Sequence, residues 1–218
     1  EYPDEATEEC KKWIEKFDAV SVREDSARKL CSSCYGIDAK HVLDPTMLLS
    51  DVDYKQLIDD SKVPESKGNL FCYILDDSEE KQKVVKVIEK KRHLKAFFMN
   101  GDCGNYLEDI ENRIQPPIEC WLRAFYDSEF IITDSFHACV FSILFHKQFL
   151  VLGNQERGLA RIYSLLSMFG LEDRLTSARS LGATNIPPID YAQVDVKLNN
   201  LRKNSFKFLE ESLAIKNI

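Results

Sequence analysis

Residues 129–147 read EFIITDSFHACVFSILFHK, two apolar runs parted by Thr133-Asp134-Ser135, with His137 just past the break. Glu129 to Thr133 carries the β-branched and aromatic residues of a buried strand, and Phe136 to Lys147 is long and apolar enough for a buried helix. A strand that hands over directly to a helix is half of a β-α-β unit. Open sheets built from such units bind ligands outside the carboxyl ends of their strands. The short polar break falls where chemistry is expected.

The same alternation runs through the chain. DAVSVRE (18–24), KHVLDP (40–45), NLFCYILD (69–76), KAFFMN (95–100) and QFLVLG (148–153) read as further strands. Helical spacing lies between them. Trp13, Ile14 and Phe17 share one face. DSARKLCSSCYG (25–36) has Asp25 as N-cap and Gly36 as C-cap. DVDYKQLID reads as a short helix, and SEEKQKVVKVIEKKR (78–92) keeps Val84, Val85 and Ile88 at helical spacing. Residues 101–115 read as a loop. Pro116-Pro117 then opens a helix whose stripe is Ile118, Trp121, Leu122 and Phe125. GLARIYSLLSMFG (158–170) is another helix, and a last one runs from about Val194 to Leu213.

Strands apolar on both faces and separated by helices predict a parallel sheet covered on both sides. The expected fold is one Rossmann-like α/β domain over 1–218, doubly wound, with a mostly parallel sheet of about six strands and helices on both faces. The chain opens without Met, on EYPDEATEEC, so a longer two-domain protein with an N-terminal domain missing from this chain is expected. The last helix (194–213), having no strand of its own, is expected to pack on that domain.

A formal charge of −7 argues against wrapping nucleic acid. No apolar run approaches the roughly 20 residues that span a bilayer, and the acidic start is unlike a signal peptide, so a cytoplasmic location is expected. Seven cysteines, an odd number scattered through apolar and helical contexts, suit reduced thiols. Cys31-Ser-Ser-Cys34 has no second pair at zinc-site spacing and reads as two helix thiols. No metal and no cofactor are expected.

The strand-end rule collects Arg23 and Glu24, Asp44, Asp76 and Asp77, Asn100, Ser135 and His137, and Asn154 with Arg157. Polar residues at strand ends often only cap the next helix. Ser135-Phe136-His137 stands above that background. A helix start offers unpaired N–H groups and the positive dipole end to an anion, and a histidine on its first turn can move a proton near neutral pH. Asp134 or Ser135 would hold the turn. Arg157 and Arg161 sit four apart in GNQERGLAR (153–161), spaced to clamp a phosphate or carboxylate. The dinucleotide-binding, P-loop, nucleophile-elbow and zinc-protease patterns are all missing.

FDAVSVRED, HVLDPTMLL, EFIITDSFHACVFSILFHKQFLVLGN and RGLARIYSLLSMFGLEDRL, in that order, resemble the carboxyl-terminal half of the polysaccharide pyruvyl transferases, from about residue 17 to 176. The resemblance implies a GT-B-like enzyme with its site between two Rossmann-like domains. It implies transfer of the enolpyruvyl unit of phosphoenolpyruvate onto a glycan or lipid-linked sugar, with this chain the donor-binding half. His137 matches the family's proton-transferring histidine. Some members place Arg-Leu before it where this chain has Ser135-Phe136, so Arg157, Arg161 or Arg23 would supply the donor-binding charge. Asp134, Ser135 and Asn154 complete the expected substrate site, and the missing domain would carry most acceptor contacts. A nucleotide-sugar half of a glycosyltransferase and a non-catalytic α/β binding domain are the alternatives.

Overall fold

The computed structural model describes residues 3–99, 114–153, 159–178 and 187–214. Its central sheet has five strands: β3 (Leu70–Tyr73), β4 (Ala96–Phe98), β5 (Phe130–Thr133), β6 (Gln148–Leu152) and β7 (Leu175–Thr176). All four pairings are parallel, and the order is β4-β3-β5-β6-β7. The chain steps from β3 outward to β4, returns to lay β5 on the other side of β3, and then continues outward through β6 and β7. The strand order therefore reverses between β3 and β5, and a crevice opens there at their carboxyl ends.

Alternation along these strands fills both faces. Phe71, Ile131, Phe149 and Val151 enter the larger core, beneath α3 (Asp51–Ser61), α5 (Ile118–Asp127), α6 (Phe136–Leu144), α7 (Leu159–Phe169) and α8 (Tyr191–Ala214). Leu70, Cys72, Phe130, Ile132, Leu150 and Leu152 enter the smaller one, covered by Val84, Val85 and Ile88 of α4 (Glu79–Arg92). Helices on both faces of a parallel sheet are the doubly wound arrangement expected from the apolar runs. Ser50 starts α3 with a reciprocal capping box: its hydroxyl accepts from Asp53 N while Asp53 accepts from Ser50 N.

Four details differ from the sequence reading. β1 (Ser21–Val22) and β2 (Lys40–His41) form a separate parallel pair and do not join the main sheet. β7, two residues long, was too short to leave a periodic signal. The 25–36 helix is α2 (Asp25–Leu30) with Glu24, not Asp25, at its N-cap position and no side-chain capping bond, and a π-turn, Cys31–Tyr35, follows before Gly36 stops it at φ 69°. Ile118 is 59% exposed, because the α5 stripe turns out of the core at its first residue.

Helix α1 (Asp4–Ile14) lies over the π-turn at the edge of the domain. Helix α8 buries Val194, Leu198 and Ser205 against this same domain. Ser205 Oγ accepts from Leu43 N, and Arg202 donates to the carbonyls of Met47 and Leu49. Val196, Phe206 and Leu213 lie on its exposed side.

Gly68 leads into β3 where no side chain fits: an added Cβ would lie 2.4 Å from the Lys95 carbonyl oxygen, which accepts from Asn69 and Leu70. Gly68→Ala is expected to cost about 1–3 kcal/mol in chemical denaturation, the usual penalty of forced overpacking.

Candidate active site

The break after β5 is held from both sides. Thr133 donates its hydroxyl to Tyr73 O at 2.6 Å and accepts from Ser135 N at 3.0 Å, which pins the end of β5 to β3. Asp134, next along, is buried with its carboxylate engaged. It accepts from the N–H groups of Leu75 (2.7 Å) and Asp76 (3.1 Å) and from Lys81 Nζ at 2.6 Å. Lys81 is itself buried on α4 and donates also to Asp76 O. Asp134 thus fastens the β5–α6 turn to the β3–α4 loop, which places the first turn of α6 beside the crevice.

Ser135 is the N-cap of α6 by backbone conformation, yet its hydroxyl makes no capping bond. Among the described residues the N–H groups of Phe136, His137 and Ala138 also find no acceptor. An uncapped helix start carries free donors and a positive dipole end.

His137 projects from this turn and is half-exposed. Its Nε2 lies 3.8 Å from Asp44 Oδ2, and the same oxygen accepts from Arg23 Nη1 at 2.5 Å. Asp44 begins a 3₁₀ turn, Pro45–Leu48, and its other oxygen accepts from the N–H and hydroxyl of Thr46. Burial alone would raise the Asp44 carboxyl; the Thr46 hydrogen bonds and Arg23 outweigh it and hold the group below the usual carboxylate range. Arg23 also lies over the Phe136 ring, its guanidinium carbon 4.6 Å from the centroid. A guanidinium from the first strand end therefore sits against the residue that precedes His137. Arg161, on α7, is the weakest of the influences on the imidazole, and its buried Nε has no hydrogen-bond partner among the described residues.

Burial pushes the His137 imidazole below its ordinary value; Asp44 opposes this, and the charges of Arg23 and Arg161 add to the lowering. The signs of two substitutions follow. Asp44→Asn removes the raising charge and is expected to lower the His137 pKa further, whereas Arg23→Gln is expected to raise it. Titrating the imidazole proton signals of each variant by NMR checks both directions.

His137 also lines a cavity of about 720 Å³ in the crevice where the strand order reverses. Tyr73 and Leu75 come to it from the end of β3, Ser135 and His137 from the end of β5, and Ile118, Trp121 and Leu122 from α5. Thr46, Tyr54, Leu57, Met99 and Phe141 contribute as well. Trp121 stands edge-on to Tyr73 and Phe141, with ring centroids 5.5 and 5.0 Å apart.

Among the residues named from sequence, the structure thus brings Ser135, His137, Arg23 and Arg161 together. Asp134 lies in the wall behind them with its oxygens occupied. Asn154 and Arg157 lie outside the described residues. Sequence reasoning placed Asp44 at a strand end but missed that it holds Arg23 beside His137. The signal was Asp-Pro-Thr, a turn-capping pattern that fixes the carboxylate. Lys81 and the aromatic wall were missed altogether. Among the described residues no group of three or more His, Cys, Asp or Glu side chains is set to hold a metal, and no helix is long and apolar enough to cross a membrane.

A helix start without a cap, a histidine and Arg23, set at the switch point of a parallel sheet, make the strand ends of this α/β protein its candidate site. Comparison with known families identifies the lineage. The polysaccharide pyruvyl transferase model matches residues 1–156, which take in β1 to β6 and α6, and the chain belongs to that family. The match starts earlier and stops earlier than the expected 17–176. Searches of curated proteins and of solved structures found no match. The family is one of enzymes that transfer a pyruvyl group to a polysaccharide.

Proposed function

We propose that the donor is phosphoenolpyruvate, bound in the cytoplasm, and that this chain is the donor-binding half of a two-domain enzyme. The observation that carries the reading is the clustering of Arg23, Arg161 and the uncapped start of α6 around His137. Phosphoenolpyruvate carries a phosphate and a carboxylate. Two guanidiniums and a helix start supply sites for both, next to a group able to move a proton.

Ketal formation then balances as follows. The methylene carbon of the donor gains a proton, which leaves a cationic carbon for the first sugar hydroxyl to attack. The carbon–oxygen bond to phosphate breaks, a second hydroxyl closes the ketal, and the two hydroxyl protons balance those taken up by the methyl group and the phosphate. His137 is the proton carrier in this scheme: neutral, it accepts a hydroxyl proton; charged, it donates to the methylene carbon.

Calorimetric titration with phosphoenolpyruvate and, separately, with uridine diphosphate tests the donor. Phosphoenolpyruvate is expected to bind, and Arg161→Ala to weaken it at least tenfold, the scale of a lost charge-assisted hydrogen bond. Binding of the nucleotide alone would transfer the site to glycosyl chemistry.

A further inference from the structure

We propose that Asp44 is a positioning residue that trades partners: it holds Arg23 until a donor anion draws that guanidinium away, and then takes the His137 imidazolium. The inference rests on the phosphoenolpyruvate reading of the same site.

The carboxylate is the fixed point of the cluster. Asp44 is buried, and its Oδ1 accepts from both the N–H and the hydroxyl of Thr46. Both cations turn to the other oxygen. Arg23 Nη1 donates to Oδ2 at 2.5 Å, and His137 Nε2 stands 3.8 Å from it, about 1 Å beyond hydrogen-bond reach. The Arg23 and His137 side chains are 35% and 49% exposed, so either can shift while Asp44 stays in place.

A phosphate competes well for a guanidinium, because its oxygens match the two-pronged fork. A buried carboxylate stripped of its cation is costly, and His137 stands ready to replace the charge. Each event therefore favours the other: the donor frees Oδ2, and the freed Oδ2 stabilises the charged imidazole. With Nε2 taken by Asp44, Nδ1 is the nitrogen left to exchange the proton with the substrates.

Arg161 on α7 and Tyr54 on α3 are the other titratable neighbours of this pair. Burial, and then the Asp44 charge, pushes the Tyr54 hydroxyl above its ordinary value, so it stays protonated below about pH 10. Asp44, held below the usual carboxylate range, stays ionised near neutrality. Of these groups it is His137 whose charge changes between about pH 6 and pH 9.

Phosphoenolpyruvate affinity of the unaltered chain and of Asp44→Asn, measured by calorimetry near pH 6 and near pH 9, tests the exchange. The donor's own ionisation is common to both proteins and cancels in the ratio of their affinities. Asparagine keeps an acceptor for Thr46 but offers no charge to Arg23 or His137. Near pH 9 the imidazole stays neutral and Asp44 only competes with the donor for Arg23. There Asp44→Asn should bind at least about threefold tighter, the scale of a half-exposed ion pair. Near pH 6 the imidazolium offsets that competition in the unaltered chain, and the advantage should vanish.

A second measurement needs no change at Asp44. The chain has four histidines, and the ring ¹⁵N signals lost in His137→Gln identify His137. On addition of phosphoenolpyruvate near pH 7.5 these signals should move to the charged form, and the Arg23 Nε–H signal should shift with them, both saturating together. An affinity ratio that is the same at both pH values, or an imidazole that stays neutral while Arg23 responds, would mean that Arg23 bridges Asp44 and the donor. The exchange then falls and the donor reading stands. Weaker binding by a folded Asp44→Asn at both pH values would make Asp44 a structural brace and overturn the exchange as well. If phosphoenolpyruvate binds neither protein at either pH, the donor reading and the exchange fall together.

Discussion

His137→Ala is expected to lower kcat for pyruvyl transfer by about 10²–10⁴, the contribution of a positioned acid or base, while phosphoenolpyruvate affinity changes only a few-fold. The split follows from the layout. In the proposed binding mode the donor's charges would fall to Arg23, Arg161 and the α6 start, so removing the imidazole would take away a proton carrier more than a binding contact. In the free protein burial and the two arginines keep His137 largely neutral at pH 7, since its pKa lies below the ordinary value. A bound trianionic donor brings negative charge to the imidazole and raises that pKa. Donor binding near neutrality should therefore take up a proton, and its enthalpy should vary with the ionisation heat of the buffer. If His137 donates to the methylene carbon, kcat falls as pH rises through the pKa of the donor complex, while kcat/KM falls at a lower pH that reports the free protein. Turnover retained in His137→Ala would remove the histidine from the chemistry, and a buffer-independent enthalpy would remove the proton uptake.

The sheet was legible because a buried parallel strand leaves an unbroken apolar run: Leu70–Tyr73, Phe130–Thr133 and Gln148–Leu152 lie where those runs lie. Order within the sheet left no such trace. That β5 returns to the far side of β3, opening the crevice, depends on packing between elements about sixty residues apart. β7 escaped because two residues have no period. The site divided in the same way. Ser135 and His137 stood out because polar residues interrupted two apolar runs, a local signal. Their neighbours Asp44 and Arg23 lie on another loop and another strand end, and charge pairing across such distances has no sequence spacing. Lys81 hid more completely. Its helix carries lysines on the solvent side, and nothing local separates the one that turns inward.

That inward lysine carries the largest stability effect. Lys81→Met is expected to destabilise the fold by about 3–5 kcal/mol, the cost of leaving a buried charge without its partner. Asp134 is fully shielded from solvent and Lys81 nearly so, with their charged atoms 2.6 Å apart. The methionine fills much of the volume, so most of the loss is electrostatic. Asp134 would keep the two N–H groups of the β3–α4 loop but have no cation beside it. The double variant Lys81→Met, Asp134→Asn removes the stranded charge while keeping an acceptor for one of the two N–H groups, and should recover more than half of the loss in urea denaturation. Salt should change little, because solvent ions screen a buried pair poorly. A Lys81→Met cost below about 1 kcal/mol would mean that water reaches Asp134 and that the pair does not brace the turn. The brace also bears on function, since Asp134 is bonded to Ser135, the N-cap of α6. At a temperature where Lys81→Met remains folded, its kcat should still fall, because the turn that carries His137 would lose its anchor to α4. A variant destabilised at a distance, such as Gly68→Ala, compared at a temperature where it too remains folded, should keep its kcat, and that contrast separates loss of positioning from loss of fold.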